Sequence, residues 1–186
     1  MGQDGTTGAE DAVYSSLGPL MGVVGDKRAR LFVEMAREQT AKTPDWFASL
    51  LPHVKLVSST PSLTSELETH PHPSILFQYV VQPSHCNRLG NLHGGSTATL
   101  FDWCTTIPLA LISKPGFWLF MGVTRTLNVT YLRPVPAGTQ VDIHCEILQV
   151  GKRLCTVKGV MKRSDDGTIV AVCEHGKFNT DPSVKV

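Results

Sequence analysis

The sequence predicts an α+β domain in which an antiparallel sheet wraps around one long central helix, with a helical extension before it. Three observations lead there. Between residues 96 and 113 the apolar residues Leu100, Cys104, Ile107 and Leu111 recur at spacings of four, three and four, the period of a helix buried along one face. Four strand-like segments follow, at residues 119–133, 140–150, 154–163 and 168–179, with Gly151-Lys152 and Asp165-Asp166-Gly167 between the last three, as antiparallel hairpins require. One more strand, residues 75–81, precedes the helix. Five strands with a helix between the first and second bury that helix only by curling the sheet around it.

The elements take their places in order. Residues 1–25, rich in Gly, Ser and Thr, read as a mobile arm. Asp26 is placed to cap a helix running to about Gln39, with Leu31, Met35 and Phe32 on its apolar face. Thr43-Pro44 signals a second short helix carrying Trp46, Phe47, Leu50 and Leu51 before Pro52 stops it. Pro61, Pro71 and Pro73 break residues 53–74 into a connector with one extended stretch near 54–58. Pro108 sits inside the central helix and predicts a kink near its end. The division is therefore an N-terminal arm and helical extension over 1–74, a core domain over 75–180 and a tail over 181–186.

Composition narrows the function. The 186 residues are 41% hydrophobic and 18% charged with a net charge of +1, which describes a folded globular chain. Its scattered basic residues argue against nucleic acid as a partner, while two or three basic contacts to a small phosphorylated molecule remain compatible. The five cysteines include no CxxC pair, so neither a metal site nor a secreted disulfide framework is indicated, and a reducing, intracellular and cytoplasmic setting is expected. No apolar run approaches the ~20 residues of a membrane-spanning helix, and no stable membrane insertion is expected. The N-terminus lacks the pattern of a signal peptide, although Met1-Gly2-Gln3-Asp4-Gly5-Thr6 fits the loose myristoylation pattern.

Chemistry concentrates in the run from Asn87 to Asp102. His93-Gly94-Gly95 stands at the mouth of the central helix, where first-turn N–H groups are unpaired and point outward at the positive end. Such a mouth suits an oxygen that becomes negative during attack on a carbonyl. His93 is suited to hydrogen-bond locally and fix the turn. Asp102 follows Gly95 by seven residues, roughly 10 Å along the axis, on a small and polar stripe with Ala98, Thr99, Thr105 and Thr106. A carboxylate there is costly unless paired or used, and general base and nucleophile are both open to it. One helix cannot fold its own Asp102 onto its own N-terminus, so the partner of Gly94 is an Asp102 from another subunit. Taken singly, glycines at a helix start are ordinary turn geometry and a lone buried carboxylate is ordinary structure. The combined spacing carries the inference.

The run NxxGxxHGGxxAxxxD, with Gly122-Val123-Thr124 and Asn128-Val129-Thr130-Tyr131-Leu132-Arg133-Pro134 downstream, resembles the hotdog-fold acyl-CoA thioesterases. The resemblance is to the branch that includes the phenylacetate-pathway thioesterase and mammalian acyl-CoA thioesterase 13, and it covers about residues 75–180. It implies a homodimer whose sheets join edge to edge, commonly paired again into a homotetramer. It also implies an acyl-CoA substrate with no metal and no cofactor beyond the coenzyme A of that substrate.

Carried onto this sequence, the resemblance makes Asp102 the catalytic carboxylate and Gly94 the oxyanion-hole amide. Asn87 becomes the group orienting the thioester or the water, and His93 the histidine of the turn. Thr124 stands in the place of a serine that helps position water. Arg133, Lys152 and Arg153 fall where the family contacts coenzyme A, and their chemistry suits its phosphates. Trp103, Pro108 and the extension before the core depart from the family pattern and bear on the acyl pocket. Two alternatives stay open: a thioesterase acting on acyl or polyketide chains held by a carrier protein, and a non-catalytic acyl-CoA binder.

Overall fold

The central helix dictates the arrangement of everything around it. In the computed structural model, which describes residues 18–60 and 73–181, it spans Gly94–Thr106 (α2) and continues as a 3-10 turn over Ile107–Leu111. The break falls where Pro108 lacks the N–H that would continue the α-helical ladder. Leu100, Cys104, Ile107 and Leu111 are all buried, as their spacing predicts.

Six strands make one antiparallel sheet: β1 (Val54–Ser59), β2 (Ser74–Val80), β3 (Val123–Tyr131), β4 (Gln140–Val150), β5 (Leu154–Arg163) and β6 (Ile169–Phe178). Their spatial order is β1-β2-β4-β5-β6-β3. The inner face of β2, β4 and β5 buries Phe77, Ile143 and Val157. Irregular registers in β4–β5 and β3–β6 add the twist that curls the sheet. Gly159 marks the closest approach of helix to sheet, since a Cβ there would lie 2.7 Å from the Phe101 ring.

Several expectations are corrected. The extended stretch at 54–58 is a sixth strand, with Leu56 opposite Phe77. The four late strands are not one meander. Only β4, β5 and β6 run consecutively, while β3 lies at the far edge beside β6, because the helix delivers the chain to the other side of the sheet before β4 returns beside β2. The strand expected from 119 begins at Val123. Before it the chain turns through positive φ at Trp118, Met121 and Gly122, and a side chain at Gly122 would lie 2.3 Å from the Phe178 carbonyl.

The extension also differs in detail. Its helix, α1, spans Gly25–Lys42 and has no side-chain cap. Asp26 instead binds Arg30 and Ser59, each at 2.7 Å. Ala29 and Val33 face the core, with Leu31, Phe32 and Met35 half-buried, because small side chains let α1 pack closely on the 3-10 turn after α2. The helix expected after Thr43-Pro44 is absent. Residues 46–50 are turns and Leu51–His53 is a 3-10 turn that contains Pro52. The burial of Phe47, Leu50 and Leu51 needs no helix. Of the expected mobile arm, residues 1–17 with the Gly2 pattern lie outside the described residues. Residues 18–20 form a 3-10 turn that buries Leu20. Pro61, Pro71 and most of the C-terminal tail also lie outside.

Candidate active site

The loop before α2 is a miniature hairpin. Cys86 and Leu92 form a bridge, the His93 N–H donates to the His85 carbonyl at 2.9 Å, and Asn87 N–H donates to Asn91 O at 2.7 Å. Asn87 Oδ1 accepts from the N–H of Leu89 and of Asn91, which leaves its amide nitrogen to donate elsewhere. The root of this hairpin is buried: His85 Nδ1 lies 2.6 Å from the Tyr79 hydroxyl. Burial chiefly, and the nearby His53, hold the His85 imidazole below its usual range, while burial pushes Tyr79 up to about 12.

His93 caps α2, its Nδ1 accepting from Gly95 N–H at 2.9 Å. A Cβ on Gly95 would meet that nitrogen at 3.1 Å, so the cap itself favours glycine. With Gly95 and Thr97 engaged, the N–H groups of Gly94 and Ser96 are the first-turn donors left without an acceptor among the described residues. Tyr131 covers the other side of the mouth and donates its hydroxyl to Gly94 O at 2.9 Å. A groove of about 450 Å³ joins Asn87, Gly94, Tyr131 and Arg133. Arg133 also donates to Ile169 O at 2.8 Å.

Asp102 lies about 12 Å further along the helix, and its side chain is half exposed. Its Oδ1 accepts from the Thr124 hydroxyl at 2.7 Å. Thr124 Oγ1 is also 3.0 Å from His175 Nε2, and His175 Nδ1 is 2.6 Å from Thr105 Oγ1. A carboxylate only accepts, so the single Thr124 proton points to Asp102 and its oxygen accepts from His175 Nε2–H. His175 Nδ1 then faces the Thr105 hydroxyl, whose one proton is also directed at the Phe101 carbonyl. Burial first, and the Lys177 ammonium second, pull His175 down to about 4 against the opposing pull of Asp102. Its 3.5 Å approach to Asp102 is therefore no ion pair at neutral pH. Lys177 is buried too, donates to Thr106 Oγ1 at 2.9 Å, and is lowered mainly by that burial.

Within one protomer these residues form two clusters. Asn87, His93, Gly94 and Arg133 gather at the N-terminal mouth of α2, and Asp102 and Thr124 meet further along it. Lys152 and Arg153 lie exposed in the β4–β5 turn, where their carbonyls bind Asn179. Sequence reasoning missed His175 and Lys177. Their signal is the inward row Ala171, Cys173, His175, Lys177, in which ionisable residues occupy positions where alternation calls for apolar ones. Among the described residues no group of three or more His, Cys, Asp or Glu is placed to hold a metal ion, and no helix is long and apolar enough to cross a membrane.

Comparison with known proteins adds to this geometry. The family model described as the thioesterase superfamily matches residues 89–170. Acyl-coenzyme A thioesterase 13 of Mus musculus is 30% identical over 131 residues, which are 70% of this chain and 83% of that protein. The Homo sapiens protein of the same name is 28% identical over the same shares. The solved structure of thioesterase superfamily member 2 from Mus musculus is 29% identical with a TM-score of 0.61, covering 79% of this chain and 96% of that one. A Streptococcus mutans protein solved bound to acetyl CoA has a TM-score of 0.57 at 19% identity over 70% of this chain and 90% of its own; that likeness shows the fold alone.

Proposed function

The chain belongs to the thioesterase superfamily and is a thioester hydrolase of the hotdog fold, and from that premise we propose that it hydrolyses acyl-CoA to a free acid and coenzyme A. Support for the substrate comes from the acyl-coenzyme A thioesterases it resembles. The observation that carries the mechanism is the Thr124-tethered Asp102 carboxylate on the same helix as an unengaged Gly94 N–H, too far apart to meet within one chain.

In this reading the working site is shared between two protomers, Asp102 and Thr124 from one and Gly94, His93 and Asn87 from the other. The thioester carbonyl accepts from Gly94 N–H and the Asn87 side-chain amide. Asp102, held by Thr124, takes a proton from water as the water oxygen bonds to the carbonyl carbon. The Gly94 N–H stabilises the charge that builds on the carbonyl oxygen. The C–S bond then breaks, and the departing thiolate takes the proton back. Direct attack by the Asp102 carboxylate is the second route open to the same geometry.

Arg133, Lys152 and Arg153 are assigned to the phosphates of coenzyme A. Arg133 and the Lys152–Arg153 pair lie toward opposite ends of β3, so a shared site recruits them from different protomers. The assembly is a homodimer or a homotetramer built from it, with no metal and no cofactor beyond the substrate's own coenzyme A. Five free cysteines support a reducing, cytoplasmic setting.

The test is Asp102→Asn with thiol release measured on a panel of acyl-CoAs. Turnover is expected to fall by about 10²–10⁴-fold, with melting temperature and coenzyme A binding retained. Retained turnover would sink the assignment of Asp102.

A further inference from the structure

The N-terminal extension places an aromatic residue one helical turn from the carboxylate. Trp46 is 88% exposed, the most exposed large apolar side chain among the described residues. It is nonetheless fixed, because its indole N–H donates to Thr99 Oγ1 at 3.2 Å. Thr99 lies three residues before Asp102 on α2, so the two are neighbours on the helix surface, about 5–6 Å apart at Cβ. The next residue, Phe47, is buried and stacks on Trp103 at 5.0 Å between centroids with a 17° interplanar angle. Trp103 in turn meets the Phe77 edge at 5.9 Å. Asp45 steadies the turn by accepting from Phe47 N–H at 2.9 Å.

The turn around Trp46 is thus bolted to the central helix on either side of Asp102. The single polar group of the indole is already bonded, and both apolar faces stay open.

We propose that Trp46 is a specificity-determining residue whose indole packs against the acyl group of the thioester held at Asp102; this rests on the proposed acyl-CoA hydrolysis. The direction follows from what flanks Asp102. On one side stands Thr124 of β3, the edge strand beside β6, where the partner sheet joins in the proposed dimer. On the other side stand Thr99, Trp103 and Phe77 of β2, toward the opposite edge of the sheet. Coenzyme A is drawn to basic residues at the ends of β3, so the acyl chain leaves the carbonyl toward the aromatic side. An indole stacks on a flat aromatic acyl group or lies along an alkyl chain, and it offers little to an acetyl group.

The experiment compares kcat/KM for acetyl-, decanoyl- and phenylacetyl-CoA in wild type, Trp46→Ala and Trp46→Phe. Trp46→Ala is expected to lower the decanoyl-to-acetyl and phenylacetyl-to-acetyl ratios about tenfold, the order that a hydrophobic pocket contact supplies. Trp46→Phe keeps an apolar ring and should restore most of both ratios. A non-hydrolysable S-decyl-CoA thioether should also blue-shift the wild-type tryptophan emission, while coenzyme A alone should not, and Trp46→Phe should lose that shift. Unchanged ratios overturn the proposal. So does a Trp46→Ala protein that dissociates in sedimentation while the wild type stays assembled, because the indole would then be covering a subunit contact. A wild type that releases no thiol from any acyl-CoA refutes the proposed function instead, and the thioether shift separates the two failures.

Discussion

Thr124 donates its hydroxyl to Asp102 across 2.7 Å, joining the exposed edge strand to the central helix at the carboxylate. The same oxygen accepts from His175 at 3.0 Å. One hydroxyl therefore fixes the rotamer of Asp102 and ties it to a buried row on β6.

Removing that hydroxyl leaves the threonine shape and frees the carboxylate. Thr124→Val is expected to lower kcat by about tenfold to a hundredfold, or about 1.4–2.7 kcal/mol in the barrier. Thr124→Ser keeps the donor and should stay within a few fold of wild type. Thiol release at saturating substrate reads this, and equal rates for the valine and serine variants would show that the hydroxyl does nothing for turnover.

The His175 imidazole makes stability depend on pH in a defined direction. Its folded-state value of about 4 lies below the ordinary ~6.5 of an unfolded histidine, so between those values the unfolded chain binds more protons. Stability is full above about pH 6.5 and is lost as pH falls toward 4, by on the order of 2–3 kcal/mol across the window. His175→Gln should flatten this slope while lowering stability at pH 7.5. Urea midpoints at half-unit steps from pH 7.5 to 4.5 measure it, and an identical slope in the variant would count against His175 as its source.

Local chemistry was what the sequence made legible. The spacing of Leu100, Cys104, Ile107 and Leu111 located the central helix, because a face buried against a sheet needs that period. The His93-Gly94-Gly95 turn announced a helix mouth, because a cap and a close approach need those residue types. Strand order stayed hidden: nothing in residues 123–131 says that they pair with β6 and not β4, since that choice is made by where the helix releases the chain. The extended stretch at 54–58 was legible, but its place in the sheet as the edge strand β1 was not. An edge strand has one neighbour, and nothing local names it. His175 and Lys177 were hidden by their setting, two ionisable residues on the inward face of β6 beside the outward Glu174, whose only visible sign is a broken alternation.

The docking of the extension rests on a residue that composition alone would put on the surface. Arg28 is 2% exposed and reaches from α1 to the end of the 3-10 turn after α2, where Nε donates to Ser113 Oγ at 2.7 Å. Nη1 donates to the Leu20 carbonyl and, at 3.2 Å, to that of Val23. Burial lowers its guanidinium from the usual range, and Nη2 has no partner among the described residues, so the charge is only partly compensated. Arg28→Ala removes every one of these bonds, leaving the Leu20 carbonyl only the Val23 N–H at 3.3 Å and the Ser113 hydroxyl only the Ala110 carbonyl at 3.4 Å. The expected cost is about 2–4 kcal/mol. Arg28→Met fills the space but cannot donate, so it should recover the packing part and remain less stable than wild type. Chemical denaturation of the three proteins orders them wild type, methionine, alanine. A methionine variant as stable as wild type would mean that the buried bonds merely offset the cost of taking the charge out of water, and that packing alone holds α1 to the core.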